Sequence, residues 1–391
     1  MTDELILFGN KCDYSVVAQA VEGNAKALGI MVETASQHGL CGRLNKSYIA
    51  WLLINDENAF SLFYEMNNDG SCDSLDSIAM HDLELIYDMY CDDTLADFNS
   101  SCEPTSQAAK NTVRLIAELS KAQGTAEFME TVKRHYRTFG VGMLGNNAAF
   151  HIADDTGLEF VPIVHDEKIM LNDLWGYEIQ KKQLTDNTQA FLAGKIANNA
   201  LLYGDAGTGK STCCKALLNE YSAQGLRMVE IYKHQFSKLP ELIHALRDRN
   251  YKFIIFMDDL SFEDFEVEYK YLKAVIEGGL EKKPENVVIY ATSNRRHLIR
   301  ETFSEREAGD DIHVADTIEE KLSLADRFGV SICFVKPLQS EYFEIVTHLA
   351  RENGIDMDIT ELHSLARKWG MRRSGMSGRV AQQFINHLLG K

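Results

Sequence analysis

The chain has 391 residues, 45% hydrophobic and 25% charged, with a formal net charge of −18 at pH 7. That length exceeds what one small core accommodates, so two or three domains are expected, and the composition is that of a globular protein rather than a disordered, collagenous or membrane-embedded one. The eight cysteines are scattered with no C-x-x-C and no His/Cys spacing for zinc, which reads as free thiols in a reducing compartment.

The chain opens Met1-Thr-Asp-Glu-Leu-Ile-Leu-Phe8, without a basic start and with only a brief apolar stretch. No run elsewhere is long enough to span a bilayer, so the expectation is a soluble, cytoplasmic protein without membrane contact. Residues 1–165 hold 24 acidic against 10 basic side chains, and no Lys or Arg occurs between Lys46 and Lys110. Such a surface repels nucleic-acid backbones and suits a basic protein partner, or solubility alone. Apolar residues three or four apart predict helices over 16–27, 49–62, 83–89 and 113–139. Polar stretches at 67–70 and 99–104 read as loops, and 150–163 reads as a hairpin turning at Asp155-Thr-Gly157.

From Asp173 the texture changes, with apolar runs at 200–203, 227–232, 253–257, 287–291 and 330–335 alternating with helical stretches. That alternation predicts a parallel sheet covered by helices on both faces. After Pro337 only helical segments remain, at 341–353, 359–368 and 377–389.

The most specific signal is Leu201-Leu-Tyr-Gly-Asp-Ala-Gly-Thr-Gly-Lys-Ser-Thr212, an apolar strand running into G-x-x-x-x-G-K-S. Gly204, Gly207 and Gly209 permit backbone conformations closed to residues with a Cβ, so the loop through Asp205, Ala206 and Thr208 can turn successive N–H groups inward around phosphates. Lys210 is expected to place its charge on the β/γ oxygens. Ser211 is the expected Mg²⁺ ligand, followed by Thr212, at the start of a helix whose positive end faces the same phosphates. A second run, Lys252-Phe-Ile-Ile-Phe-Met-Asp-Asp259, ends an apolar strand in paired carboxylates. Coupled to the phosphate loop, it reads as a Walker B strand, with Asp258 supporting the metal and Asp259 polarising the attacking water.

With these two motifs the chain resembles the AAA+ superfamily of ring-forming P-loop ATPases from about Asp173 onward. Leu174-Trp-Gly-Tyr-Glu178 is similar to the linker that packs on adenine there, which implies stacking of the Trp175 and Tyr177 pair on the base, core packing of these aromatics being the alternative. Val287-Val-Ile-Tyr-Ala-Thr-Ser-Asn294 resembles the sensor 1 strand, with Asn294 orienting the lytic water. Lys321-Leu-Ser-Leu-Ala-Asp-Arg-Phe-Gly329 resembles the stretch carrying the arginine finger, which the resemblance assigns to Arg327 acting on a neighbouring subunit. Ser374-Gly-Met-Ser-Gly-Arg379 resembles sensor 2, with Arg379 closing over the nucleotide of its own chain.

More narrowly, Asp258-Asp-Leu-Ser-Phe-Glu263, Ala291-Thr-Ser-Asn-Arg-Arg-His-Leu298 and Glu320-Lys-Leu-Ser-Leu-Ala-Asp-Arg-Phe-Gly329 closely resemble an uncharacterised bacterial AAA+ family labelled as a domain of unknown function. One departure stands out. The superfamily's Asp-Glu is here Asp258-Asp259, a base one methylene shorter, with Glu263 as a possible substitute. Arg295, Arg296 and Arg300 read either as a second trans contact or basic rim, or as salt-bridge partners of Glu301, Glu305 and Glu307.

The expected fold is therefore α/β, an AAA+ P-loop core with a parallel five-stranded sheet flanked by helices. Residues 1–165 form an acidic, mostly helical domain, 166–337 the core, and 338–391 a helical lid. The resemblance implies ATP and Mg²⁺ as cofactors and a homo-oligomeric ring with hydrolysis at subunit interfaces, coupled to remodelling or assembly of a macromolecular partner; the acidic domain is expected to hold a protein client. A slow nucleotide-gated switch and a DNA-associated initiator or helicase loader are the alternatives, nucleic acid being the less favoured partner. The stretch 232–240 contains Phe236 but no following glycine, which weighs against protein threading.

Overall fold

The computed structural model describes residues 5–390 except 68–69, 99–105, 155–156, 164–168, 263–267, 278–282, 296–323 and 374. The chain divides into two compact units, one of Met1–Ala148 with Asp248–Asn250, the other of Ala149–Arg247 with Tyr251–Lys391.

The first unit is helical: α1 (Ser15–Val21), α2 (Ala25–His38), α3 (Leu44–Asn55), α4 (Ala59–Met66), α5 (Asp73–Cys91), α6 (Gln107–Leu119), α7 (Thr125–Phe139) and α8 (Gly142–Asn146). Two short strands, β1 (Gly42–Arg43) and β2 (Asp97–Phe98), pair antiparallel. Helix α3 is central, with Tyr48, Ile49, Ala50, Leu52, Leu53 and Ile54 all buried, as expected of a helix that is apolar around most of its circumference. The helix expected over 16–27 is broken at Gly23, whose φ of 93° is left-handed, and Asn24 caps α2 by accepting from the Lys26 and Ala27 amides. Likewise 49–62 is broken where Asn58 and Ser61 form a capping box, and 113–139 at Gly124. The apolar period survives these breaks because both halves face one core, so periodicity alone hides them. The buried Asp82 carboxylate accepts the amides of Ile6, Leu7 and Phe8, which tacks the start of the chain to α5.

In the second unit the strands β3 (Ala149–Ile152), β4 (Phe160–Pro162), β5 (Ala200–Gly204), β6 (Leu226–Glu230), β7 (Lys252–Met257), β8 (Val287–Ser293) and β9 (Val330–Phe334) form one sheet of order β4-β3-β6-β7-β8-β5-β9. The five strands expected from the apolar runs are present and mutually parallel. The sheet nevertheless has seven strands among the described residues, not five. The 150–163 hairpin extends it, with β3 parallel to β6 and β4 antiparallel to β3. Its alternating pattern showed a hairpin but not the neighbour it would join. Strand β8 is buried throughout, the mark of a strand covered on both faces.

Helices α9 (Glu178–Leu192), α10 (Lys210–Tyr221), α11 (Leu239–Leu246) and α12 (Glu268–Glu277) belong to this unit. Beyond β9, α13 (Gln339–Glu352), α14 (Ile359–Met371) and α15 (Gly378–Leu389) enclose their own core of Tyr342, Val346, Leu362, Ala366, Phe384 and Ile385. Among the described residues no helix is long and apolar enough to cross a membrane, and the seven described cysteines are free thiols.

Candidate functional site

The site is built where β5 ends. Gly204 has φ 127°, and a Cβ there would lie 2.1 Å from the Phe334 carbonyl oxygen of β9, so only glycine fits. The next residue pins the loop to the exit of β9: the Asp205 amide donates to the Phe334 carbonyl at 2.8 Å, and its carboxylate accepts from the Lys336 amide at 2.8 Å. Gly207 and Gly209 have φ 77° and 93°, and the Thr208 hydroxyl donates to the Asp205 carbonyl at 2.9 Å. The loop then winds into α10 at Lys210.

Lys210 reaches back across this loop. Its Nζ donates to the carbonyls of Gly204 and Asp205 at 3.0 and 2.7 Å, and to the Asn294 side-chain oxygen at 3.1 Å. Burial lowers its pKa, against the opposing pull of Asp259, Asp205 and Asp258. The following Ser211 hydroxyl donates to Asp258 Oδ1 at 2.5 Å. A hydroxyl and a carboxylate so placed are the hard oxygen donors that Mg²⁺ takes, at the head of a helix and beside a lysine suited to phosphate oxygens. The glycine-lined loop and this donor set fit a magnesium nucleotide.

At the end of β7, Asp259 adopts a left-handed φ of 50°, shared among described non-glycine residues only by Tyr177. Its carboxylate accepts from the Asn294 amide at 2.6 Å. Thr292, which sequence reasoning did not single out, donates its hydroxyl proton to Asp258 Oδ1 at 2.5 Å and accepts from the Asp259 amide at 2.9 Å. Lys210, Ser211, Asp258, Asp259 and Asn294 are thus brought together from α10, β7 and β8.

These groups line a cleft of about 730 Å³ that continues past Leu174 and Tyr177 to Ile345 and Leu349 on α13. Tyr177 borders the cleft, but its hydroxyl donates to the Val335 carbonyl at 2.8 Å and its ring lies 5.2 Å from that of Phe334. Trp175 stacks on His348, with centroids 4.3 Å apart. Arg379 also lines the cleft, and its amide donates to the Gly207 carbonyl at 3.1 Å. Ser377 caps α15 by accepting from the Val380 amide.

Arg327 stands apart. It lies outside the cleft lining, and its guanidinium pairs with Glu277 at the end of α12. Glu263, Arg296, Arg300, Glu301, Glu305, Glu307 and Ser374 lie outside the described residues, and Arg295 is placed with its amide donating to Ser293 Oγ at 3.2 Å. Phe236 is buried, its ring 6.1 Å from that of Phe262.

Among solved structures, a RuvB variant of Thermotoga maritima is 16% identical, the match covering 57% of this chain and 65% of that one, under two thirds of its length, with a TM-score of 0.41. The T. maritima RuvB Holliday junction branch migration motor is 15% identical over 56% of this chain and 72% of that one, with a TM-score of 0.36. No curated protein matches the chain. A family model described as a protein of unknown function, DUF815, matches residues 145–391. That match takes in the glycine loop, the acidic strand end and the three last helices, well over half of the chain, and the protein accordingly belongs to the DUF815 family, in agreement with its motifs.

Proposed function

We propose that the cleft binds ATP with Mg²⁺ and hydrolyses it, and that hydrolysis takes place at an interface between copies of the chain. The observation that carries this reading is the single hydrogen-bonded set of Lys210, Ser211, Asp258, Asp259 and Asn294 at the end of the cleft. Lys210 and Ser211 hold phosphate and metal, with the backbone from Gly204 through Asp205, Ala206, Gly207, Thr208 and Gly209 to Thr212 around them. Asp258 supports the metal. Asp259 accepts the proton of the attacking water, which Asn294 orients. Mg²⁺, held by Ser211 and Asp258, would supply neutralisation of the phosphate charge. Arg327, released from Glu277, reaches the site of the next copy, and Arg379 couples the helical lid, 338–391, to the nucleotide.

A basic protein client held by the acidic, helical first unit, a ring of identical copies and a cytoplasmic setting complete the reading. The burial of Phe236 supports remodelling or assembly of a partner over threading of a chain through a pore. The short base Asp259, already engaged by Asn294, supports slow turnover, so a nucleotide-gated switch is the second reading. A DNA-loader role draws no support from the net charge of −18.

The test is Asp259→Asn. Purified wild type incubated with ATP and Mg²⁺ should release ADP, whereas the variant should retain intact ATP. A variant that hydrolyses at the wild-type rate removes Asp259 from its role, and a wild type that takes up no nucleotide removes the whole reading. Retrieval of partners on the ATP-loaded variant then identifies the client.

A further inference from the structure

Thr292 sits on β8 directly across from the turn that ends β7, and it holds that turn by three separate bonds. Its side-chain oxygen accepts from the Asp259 amide at 2.9 Å, its hydroxyl proton goes to Asp258 Oδ1 at 2.5 Å, and its main-chain carbonyl accepts from the Leu260 amide at 2.7 Å. The residue is buried. We infer that Thr292 is the positioning residue of the acidic pair, setting through one hydroxyl both the orientation of the Asp258 carboxylate toward the metal and the backbone of Asp259.

Two features argue for this beyond proximity. First, Asp258 Oδ1 receives Ser211 Oγ at 2.5 Å, Thr292 Oγ1 at 2.5 Å and the Asp259 amide at 3.2 Å, and three donors converging on one oxygen fix the rotation of the carboxylate. Of these donors, Ser211 is the one expected to turn to the metal, so Thr292 is the side chain that keeps Asp258 aimed when it does. Second, Asp259 holds a left-handed φ of 50° that a residue with a Cβ seldom adopts, and Thr292 binds the Asp259 amide at the start of that distortion. The same oxygen that steers one carboxylate thereby directs the next toward Asn294. A valine keeps the shape of threonine and cannot do either; a serine can do both.

The inference rests on the nucleotide reading above, and its experiment separates the two. Nucleotide affinity of the full chain is measured with a fluorescent ATP analogue in EDTA and across a Mg²⁺ titration, for wild type, Thr292→Val and Thr292→Ser. Outer-sphere partners of a metal ligand are worth about 10–100-fold in metal affinity, so Thr292→Val should keep its affinity in EDTA but need roughly tenfold more Mg²⁺ for the same tightening. Thr292→Ser should restore the wild-type Mg²⁺ response. Thermal unfolding of each variant without nucleotide accompanies the titration, and the serine variant decides the matter should the valine variant fail to fold. A wild-type Mg²⁺ response in Thr292→Val, or a serine variant as impaired as valine, overturns the role of Thr292 while leaving the nucleotide reading in place. A wild-type chain without nucleotide affinity overturns both.

Discussion

The Lys210 ammonium lies 3.1 Å from the Asn294 side-chain oxygen, so the glycine-loop lysine and the residue just past β8 are in contact. Asn294 spends its other side-chain atom on Asp259 at 2.6 Å, which joins the lysine to the acidic pair through one amide. On the proposed reading, an entering γ-phosphate would compete for the lysine and release the amide toward water.

Asn294→Ala should therefore separate binding from turnover. Loss of the amide removes one of three acceptors of Lys210, so affinity for ATP should change by no more than a few-fold. The positioning of water is lost, and the hydrolysis rate should fall by about 10²–10⁴-fold, the usual worth of a positioned proton-transfer apparatus. Parallel affinity and phosphate-release measurements check this; equal losses in both would place Asn294 in ground-state binding instead.

Arg327→Ala should abolish turnover while leaving ATP affinity intact, because the guanidinium is not part of its own chain's cleft. An arginine supplied in trans contributes about 10³–10⁵-fold. Mixing Arg327→Ala with Lys210→Ala should partly restore hydrolysis, since each variant supplies what the other lacks. No restoration at any mixing ratio would argue against action between copies.

Gly204→Ala should destabilise the second unit outright. The added Cβ would meet the Phe334 carbonyl oxygen at 2.1 Å in a backbone conformation of φ 127°, so strand β9 must move. The cost should be at least about 2–3 kcal/mol, the scale of a backbone conformation that a side chain forbids. Denaturant unfolding monitored on the variant checks the magnitude; a loss under about 1 kcal/mol, or a gain as an unstrained glycine replacement would give, would show the loop to be pliable.

The pH response of the first unit should hinge on His135. Burial, aided by Arg114, pushes its pKa from 6.5 down to about 3, and its Nε2 has no hydrogen-bond partner among the described residues. Between those values the unfolded chain binds a proton that the folded chain refuses, so stability falls as pH drops from 6.5 toward 3, by at most about 1.4 kcal/mol per pH unit. Asp56 runs the other way: burial raises it from 3.8 to about 6, and its penalty, present above 6, is relieved as pH falls to 3.8. The stability of His135→Phe relative to wild type should therefore rise steadily as the pH is lowered through the histidine window. A pH-independent difference in unfolding free energy between the two chains would contradict the assignment.

The glycine loop, the acidic strand end, the five parallel strands and the last three helices were legible because each is written in neighbouring residues. Glycine spacing, apolar runs and turn residues are local signals. What escaped was set by register across the sheet. Thr292 faces Asp258 because β7 and β8 pair Met257 with Ala291, and no spacing along the chain reveals that. The addition of β3 was hidden in the same way, since Ala149 opposite Met228 is a matter of which edge was left open. Tyr177 illustrates a third limit: the aromatic beside the cleft was visible, but its tether to the Val335 carbonyl was not.

The bond from the Arg379 amide to the Gly207 carbonyl joins main chain to main chain, at a helix start where amides otherwise lack partners. Replacing the arginine side chain removes a charge but leaves this latch closed, so a side-chain deletion and an unlatching are separate perturbations. Proline at 379, which has no amide proton, would open it without touching a single residue of the glycine loop.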